Sequence, residues 1–96
     1  MQMTIFCLIN EFEFKHPIYL MNLETNSSEY LGEVAADDIG HTIAKHSYER
    51  NIPDVVIGGS SRSYLERFVD DVYTVNALMY NNNNEIRVSI VDYEEE

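Results

Sequence analysis

The hydrophobic and polar positions of the chain follow two periods, and each period predicts one kind of secondary structure. Thr4 to Ile9 form a continuous apolar run, which predicts a strand buried on both faces. Ile18 to Leu23 and Glu29 to Val34 predict two further strands, separated by a polar turn from Glu24 to Ser28. The first third of the chain is therefore predicted to be a three-stranded meander.

After the third predicted strand the pattern changes to the period of a helix. From Ala36 to Arg50, small and apolar residues recur every three or four positions on one side, and mostly polar residues cover the other. Gly40 lies within the apolar side, where glycine disfavours a helix, so we expect another element to approach the helix closely there. Asn51 and Pro53 are predicted to end this helix.

The rest of the chain predicts a second strand, helix and strand. Asp54 to Ile57 predicts a short buried strand, and apolar positions from about Ser63 to Tyr80 follow the period of a helix. Asn81 to Asn84 predict a loop, and Ile86 to Val91 predicts the last strand. Asp92 to Glu96 are predicted to form a frayed acidic tail, in one single domain that spans residues 1–96.

This order, β-β-β-α-β-α-β, predicts a mixed α/β fold with a five-stranded mixed sheet and helices packed on it. We expect the β-α-β-α-β part to be a right-handed, doubly wound parallel unit and the leading meander to run antiparallel to it. Such a layout is that of ribonuclease H-like folds.

The stretch from Ala35 to Val72 resembles a known family. The resemblance extends without a gap over Ala35-Ala36, Ile39-Gly40, Ile43-Ala44, Ile52, Val55-Val56-Ile57, Tyr64 and Arg67-Phe68. These residues resemble the large-subunit ribosomal proteins that bind 5S ribosomal RNA, and the resemblance implies the same mixed topology. Where that family has Asp-Arg after the buried strand and His after the tyrosine, this chain has Gly58-Gly59 and Leu65.

The net charge of the chain predicts which kinds of molecule it binds. Seventeen acidic residues against six lysines and arginines give a formal net charge of −11. Such a charge repels nucleic acid and anionic membranes, so we expect a basic protein surface as partner and no direct binding of nucleic acid. No stretch approaches the roughly 20 apolar residues of a membrane span, and no signal peptide is predicted. A single cysteine, Cys7, favours the cytoplasm, that of a host cell if a phage encodes the protein.

Several carboxylates are predicted to form one acidic face. They are Glu29, Glu33, Asp37, Asp38, Glu66, Asp70 and Asp71. Arrays of carboxylates can imitate the phosphates of a nucleic acid and dock on a basic groove. The first hypothesis is therefore a non-enzymatic protein-binding module, such as a phage or mobile-element inhibitor or nucleic-acid mimic. The alternative is that the acidity only keeps the protein soluble.

Enzymatic activity is not expected. A ribonuclease H-like nuclease needs carboxylates that converge on two metal ions, with one at the centre of the first strand. That centre is occupied by Phe6, Cys7 and Leu8, and Asp70 and Asp71 on the second helix have no partners with which to converge. Cys7 is predicted to be a small core residue with a normal or raised pKa. We therefore predict no catalytic residue and no cofactor.

Two small sites remain as alternatives. The loop formed by Gly58, Gly59, Ser60, Ser61, Arg62 and Ser63 offers amides, hydroxyls and one guanidinium for a phosphate or carboxylate, or it is only a glycine turn with serine caps. Asp37 and His41, four residues apart on a helix, share a side and offer two metal ligands, although such surface pairs are more often simply solvated. No resident metal is predicted.

Self-association is the rival hypothesis. The alternating strand from Ile86 to Val91, and Phe12 with Phe14, are expected at a sheet edge that can pair with a second chain. The segment from Glu11 to Lys15 is predicted to be an exposed extension or a half-buried edge. A homo-oligomer of such an acidic chain needs a contact that is apolar at its centre.

Overall fold

The computed structural model describes residues 2–80 and 85–93. Its strands are β1 (Met3–Leu8), β2 (Lys15–Asn22), β3 (Ser27–Ala35), β4 (Asp54–Gly59) and β5 (Arg87–Asp92). Its helices are α1 (Ile39–Arg50) and α2 (Arg62–Tyr80), and a single 3-10 turn (Ala36–Asp38) precedes α1. The loop predicted for residues 81–84 lies outside the described residues, as do residues 94–96 of the predicted tail. Asp92 ends β5, so the strand extends further than the sequence pattern predicted.

The five strands form one mixed sheet in the order β3-β2-β1-β4-β5, which confirms the predicted fold class and fits a ribonuclease H-like layout. β1, β4 and β5 are parallel neighbours, and β2 is antiparallel to both β1 and β3. β2 alone therefore runs against the other four strands. The prediction that the whole leading meander is antiparallel to the rest of the sheet was wrong for β1 and β3.

Both helices lie on the same face of the sheet. Ile5 and Cys7 of β1 lie beside Val55 and Ile57 of β4, and all four side chains share one core with residues of α1 and α2. The connection that contains α1 leads from β3 to β4, and the connection that contains α2 leads from β4 to β5. Both cross the sheet in the same direction, so right-handed connections place both helices on one side. The prediction that the β-α-β-α-β part is doubly wound, with helices on both faces, was therefore wrong. β1 is not buried on both faces either, because Leu8 is 37% exposed.

The helices α1 and α2 run parallel to each other in close contact. A Cβ on Gly40 would lie 2.7 Å from the Cβ of Asp71 and 2.9 Å from its carbonyl carbon, so only glycine permits this approach. Towards the other end, the rings of Tyr48 and Tyr80 stack with their centroids 4.3 Å apart. The close approach predicted at Gly40 is confirmed, and the neighbouring element is α2.

A β-bulge divides β3 into two halves. The pairing between β2 and β3 shifts after Ile18, which lies opposite Gly32, to Tyr19, which lies opposite Tyr30. Leu31 is the extra residue without a partner on β2, as in other bulges where two residues oppose one. Gly32 has a φ of +120°, a backbone conformation that residues other than glycine rarely adopt. The bulge therefore depends on glycine at this position.

The side of the sheet opposite the helices is called the open face. Its strand residues are Thr4, Phe6, Leu8, Lys15, Pro17, Tyr19, Met21, Ser28, Tyr30, Glu33, Ala35, Asp54, Val56, Gly58, Arg87, Ser89 and Val91. Neither α1 nor α2 covers this face, and only Thr4 and Gly58 among these residues are fully buried. The sheet thus has one face inside the core and one face towards solvent.

Candidate functional site

Four of the seven residues predicted for an acidic face lie on the helical side, around the contact between the start of α1 and α2. These four, called the acidic ridge, are Asp37, Asp38, Asp70 and Asp71, and all are exposed. The contact between Gly40 and Asp71 brings α2 within about one helical turn of the 3-10 turn that carries the first two. Asp70 adjoins Asp71 on α2, whereas Glu66 lies about 140° around the helix from Asp71, on the same side as Arg62 and Tyr73, which contact β5.

The bulge separates two further predicted members, Glu29 and Glu33, from each other. In an unbroken strand Glu29 and Glu33 would share a face, because they are four residues apart. Glu33 instead lies opposite Pro17 on the open face, whereas Glu29 lies opposite Leu20 on the helical side of the edge strand β3. The seven carboxylates therefore do not form one surface, and Glu33 in particular faces away from the acidic ridge.

Two cationic side chains of the helices, Arg67 and Lys45, contact groups outside the acidic ridge. The Arg67 guanidinium lies over the rings of Tyr64 and Phe68, 5.6 Å and 5.4 Å from their centroids. Lys45 pairs with Glu49, one turn further along α1, with their charged atoms 3.9 Å apart. Within the described residues no ion pair involves a member of the acidic ridge. Its carboxylates are therefore available to cationic groups of another molecule.

Packing accounts for both glycines of the predicted ligand loop. They are the last two residues of β4 and belong to the strand. A Cβ on Gly58 would lie 2.9 Å from the ring of Phe6, and one on Gly59 would lie 2.7 Å from the carbonyl oxygen of Ile9. The backbone N–H of Ile9 also donates a 2.7 Å hydrogen bond to the carbonyl of Gly58. These glycines allow neighbouring groups to approach the strand.

The polar half of the same loop caps α2. The Ser61 hydroxyl accepts a 3.4 Å hydrogen bond from the backbone N–H of Tyr64, and the Ser61 carbonyl accepts one of 3.0 Å from Leu65. The hydroxyls of Ser61 and Ser63 lie 3.2 Å apart. Arg62, the first residue of α2, is 3.6 Å from the Asp92 carboxylate. The single guanidinium of the loop thus already has an anionic partner.

A shallow groove of about 200 Å³ lies beside this loop, where β1 and β4 end. It is lined by residues 8–10, by Gly59 and Ser60, and by the rings of Phe12 and Tyr93. Ser61, Arg62 and Ser63 do not line it, so the structure does not bring the guanidinium of the loop into the groove. Anion binding by the loop therefore stays a prediction.

The predicted metal pair lies at the start of α1. Asp37 belongs to the 3-10 turn and His41 to the first turn of the helix, and both are exposed. In the part of the chain that the structure describes, no group of three or more His, Cys, Asp or Glu side chains is arranged to hold a metal ion. The pair therefore has no third protein ligand among these residues.

Two titratable groups lie inside the core. Burial raises the pKa of the Cys7 thiol to about 12, which confirms its predicted role as a protonated core residue. His16 is buried on β2, and its Nδ1 accepts a 3.3 Å hydrogen bond from the backbone N–H of Asn10. Its Nε2 has no hydrogen-bond partner among the described residues. Desolvation lowers the pKa of His16, although the nearby Glu13 opposes this effect.

The residues predicted for self-association lie in two separate places. Phe12 and Phe14 belong to the loop between β1 and β2 and are 86% and 94% exposed, so the exposed segment is confirmed, although it is not a strand edge. β5, which includes most of the predicted strand from Ile86 to Val91, is indeed an edge strand of the sheet.

The sequence pattern did not reveal the open face. On it the rings of Tyr19 and Tyr30 meet with their centroids 5.8 Å apart. Tyr30 is 57% exposed and Val91 44%, and the Phe6 ring lies over Gly58. Desolvation, followed by the Glu33 carboxylate and Tyr19, raises the pKa of Tyr30. The direction of the two crossovers was the signal that could have revealed this face, because it determines which side the helices cover.

The open face also differs from the rest of the chain in charge. Its charged strand residues are Lys15, Glu33, Asp54 and Arg87, two cations and two anions. Arg87 Nε lies 2.9 Å from Asp54 Oδ1, and this hydrogen bond raises the pKa of Arg87. Glu85, which precedes β5, lies 3.5 Å from Arg87 Nη1 at the rim. The strands therefore present no net charge on this face.

No protein-family model matches the sequence, and no curated protein is significantly similar to it. Among the residues that the structure describes, neither helix is both long enough and apolar enough to cross a membrane. The two surfaces described above, the acidic ridge and the open face, are therefore the basis for the functional proposals that follow.

Proposed function

We propose that this protein is a non-enzymatic binding module whose acidic ridge docks on a basic surface of another protein. The observation that supports this function is the helix contact at Gly40, which gathers exposed carboxylates from two elements on one rigid surface. Hydrogen bonds between carboxylates and Lys or Arg are stronger than neutral ones, so such a surface suits a cationic partner.

The charge of the whole chain acts in the same direction. At a net charge of −11, long-range attraction speeds the encounter with a cationic partner, while the ridge determines the place of contact. A basic groove that otherwise holds nucleic acid is one partner with this chemistry. A protein that occupies such a groove acts as an inhibitor.

A pull-down with two matched variants tests the proposal. Asp70→Asn with Asp71→Asn removes two charges from the ridge, and Glu11→Gln with Glu29→Gln removes two charges outside it. Both variants have the same net charge, so a difference between them reports the place of binding and not the total charge. We expect the ridge variant to lose its bound proteins from a bacterial lysate and the control variant to keep them.

Salt provides the second part of this test. Exposed charges are screened over about 8 Å at physiological ionic strength, so the bound proteins should be released between about 0.1 M and about 0.5 M salt. Proteins that both variants recover equally, or that stay bound at high salt, would show that the acidic ridge is not the docking surface.

A further inference from the structure

We infer that the open face is a self-association surface, on which a second copy of this chain packs sheet against sheet. The proposal rests on the charge, composition and area of this face. It does not depend on the acidic ridge or on a basic partner, and the two surfaces lie on opposite sides of the sheet.

Charge favours a second copy as the occupant. Two chains of net charge −11 repel each other, and this repulsion is least where the surfaces that meet carry no net charge. The strands of the open face carry Lys15 and Arg87 against Glu33 and Asp54. A strongly basic partner would gain little from this surface, because its cations would meet as many cations as carboxylates.

The charged residues lie at two corners of the face, and each corner carries one cation and one carboxylate. Lys15 and Glu33 lie near one end of β2 and β3, and the ion pair of Asp54 and Arg87 lies at the start of β4 and β5. In a two-fold dimer the same surface patch of each chain meets the other. Because the strand residues of each corner carry one cation and one carboxylate, such a dimer can set unlike charges against each other, with Glu85 at the rim as a further partner for a cation.

The centre of the face has the composition of an interface core. Phe6, Tyr19 and Val56 are half-buried there, and Tyr30 and Val91 project further into solvent. Interface cores are enriched in aromatic residues and depleted in charge. Two sheets that pack face to face lie about 10 Å apart with interdigitating side chains.

The area of the face is sufficient for a modest dimer. Five strands spaced about 4.8 Å apart and about 20 Å long give the face roughly 480 Å² of projected area. Two such faces bury on the order of 1,000 Å² in total, at the lower end of specific interfaces. We therefore expect a dimer that dissociates in the micromolar range.

Sedimentation equilibrium of the full chain tests this directly, from about 1 μM to about 500 μM, in about 0.05 M and about 1 M NaCl. We expect a monomer–dimer equilibrium that tightens at high salt, because screening reduces the repulsion between the two chains while apolar burial is retained. A protein that stays monomeric at every concentration and in both salts overturns the proposal. A face that binds only a different protein would give this monomeric result.

Two matched pairs of variants locate the interface. Lys15→Glu makes the open face acidic, and Lys45→Glu makes the same charge change on α1. Val91→Asp introduces a carboxylate on the open face, and Leu78→Asp introduces one at an exposed aliphatic position on α2. We expect each open-face variant to weaken the dimer at least about tenfold and each helical variant less than about threefold. Equal effects within each pair would place the contact elsewhere and overturn the proposal.

Discussion

The helical side and the open face are built from the same five strands, yet they differ in what surrounds each side chain. Val55 is 1% exposed beneath the helices, whereas the next residue, Val56, is only half-buried on the open face. The helical side carries the acidic ridge on its outer surface, and the strands of the open face carry no net charge. Most of the packing that stabilises the fold thus lies on one side of the sheet, and the other side is largely open to solvent.

The largest effect is expected when the same substitution, valine to alanine, is made once on each face of the sheet. Val55→Ala leaves a cavity in the core and should lower the free energy of unfolding by about 2–3 kcal/mol. Val56→Ala removes the same atoms from the open face and should cost less than about 1 kcal/mol. Urea denaturation at low protein concentration measures both values. Equal costs at that concentration would show that the open face is covered even in the monomer.

Replacing glycine with alanine on each side compares how well each side of the sheet accommodates one added methyl group. In Gly40→Ala the new methyl group meets the backbone of Asp71, so the two helices must separate, and we expect a loss of about 1–3 kcal/mol. In Gly58→Ala the methyl group meets the end of the Phe6 ring and the Tyr93 hydroxyl, which can turn towards solvent. The loss should therefore be smaller, and thermal unfolding of both variants checks it. A larger loss at Gly58 would contradict the view that the open face is loosely packed.

The pH dependence of stability reports on the covered face, because His16 is buried there. Its pKa is lowered in the folded protein, so the unfolded chain binds a proton more readily as pH falls through its ordinary value of 6.5. The free energy of unfolding should therefore have its full value above pH 6.5 and decrease as the pH falls below it. His46, whose pKa is also lowered by desolvation, acts in the same direction.

Replacing His16 with Gln should make this decrease shallower, without removing the part that His46 contributes. Urea denaturation at about pH 7.5, 6.5 and 5.5 measures the slope for the variant and the wild type. A variant whose stability follows the wild-type slope would show that protonation of His16 is not linked to unfolding.

The smallest effect is expected on the outer surface of the helical side. The charged groups of Arg62 and Asp92 lie 3.6 Å apart and are 56% and 39% exposed, so Arg62→Ala should change the free energy of unfolding by less than about 1 kcal/mol. Sulfate distinguishes the two roles of this residue. A melting temperature that sulfate raises in the wild type but not in the variant would show that the loop binds an anion.

The sequence predicted those parts of the fold that depend on local chemistry. Asn51 follows the last residue of α1, as predicted, and the structure shows it in the left-handed conformation with a φ of 56°. Gly40 predicted a close approach because glycine in a helix interior needs a reason in packing. The fold class followed from the element order, since few topologies connect these elements without crossing.

The candidate surfaces were less predictable because they depend on register and on sidedness. The apolar run of β1 looks the same whether one face or both faces are covered, so Leu8 did not indicate the open face. Glu29 and Glu33 were grouped because the bulge between them changes no hydrophobic pattern. Gly58 and Gly59 looked like a ligand loop because a sequence does not show which neighbours approach a strand.

The bulge at Leu31 also determines where the chain can change in length. Because Leu31 has no partner on β2, a deletion of this residue would leave Tyr30 opposite Tyr19 and Gly32 opposite Ile18. A deletion inside β2 would instead shift one half of that strand and move its alternate side chains to the opposite face. Among the sheet residues near this edge, position 31 is therefore where a deletion can be accepted without exchanging the two surfaces.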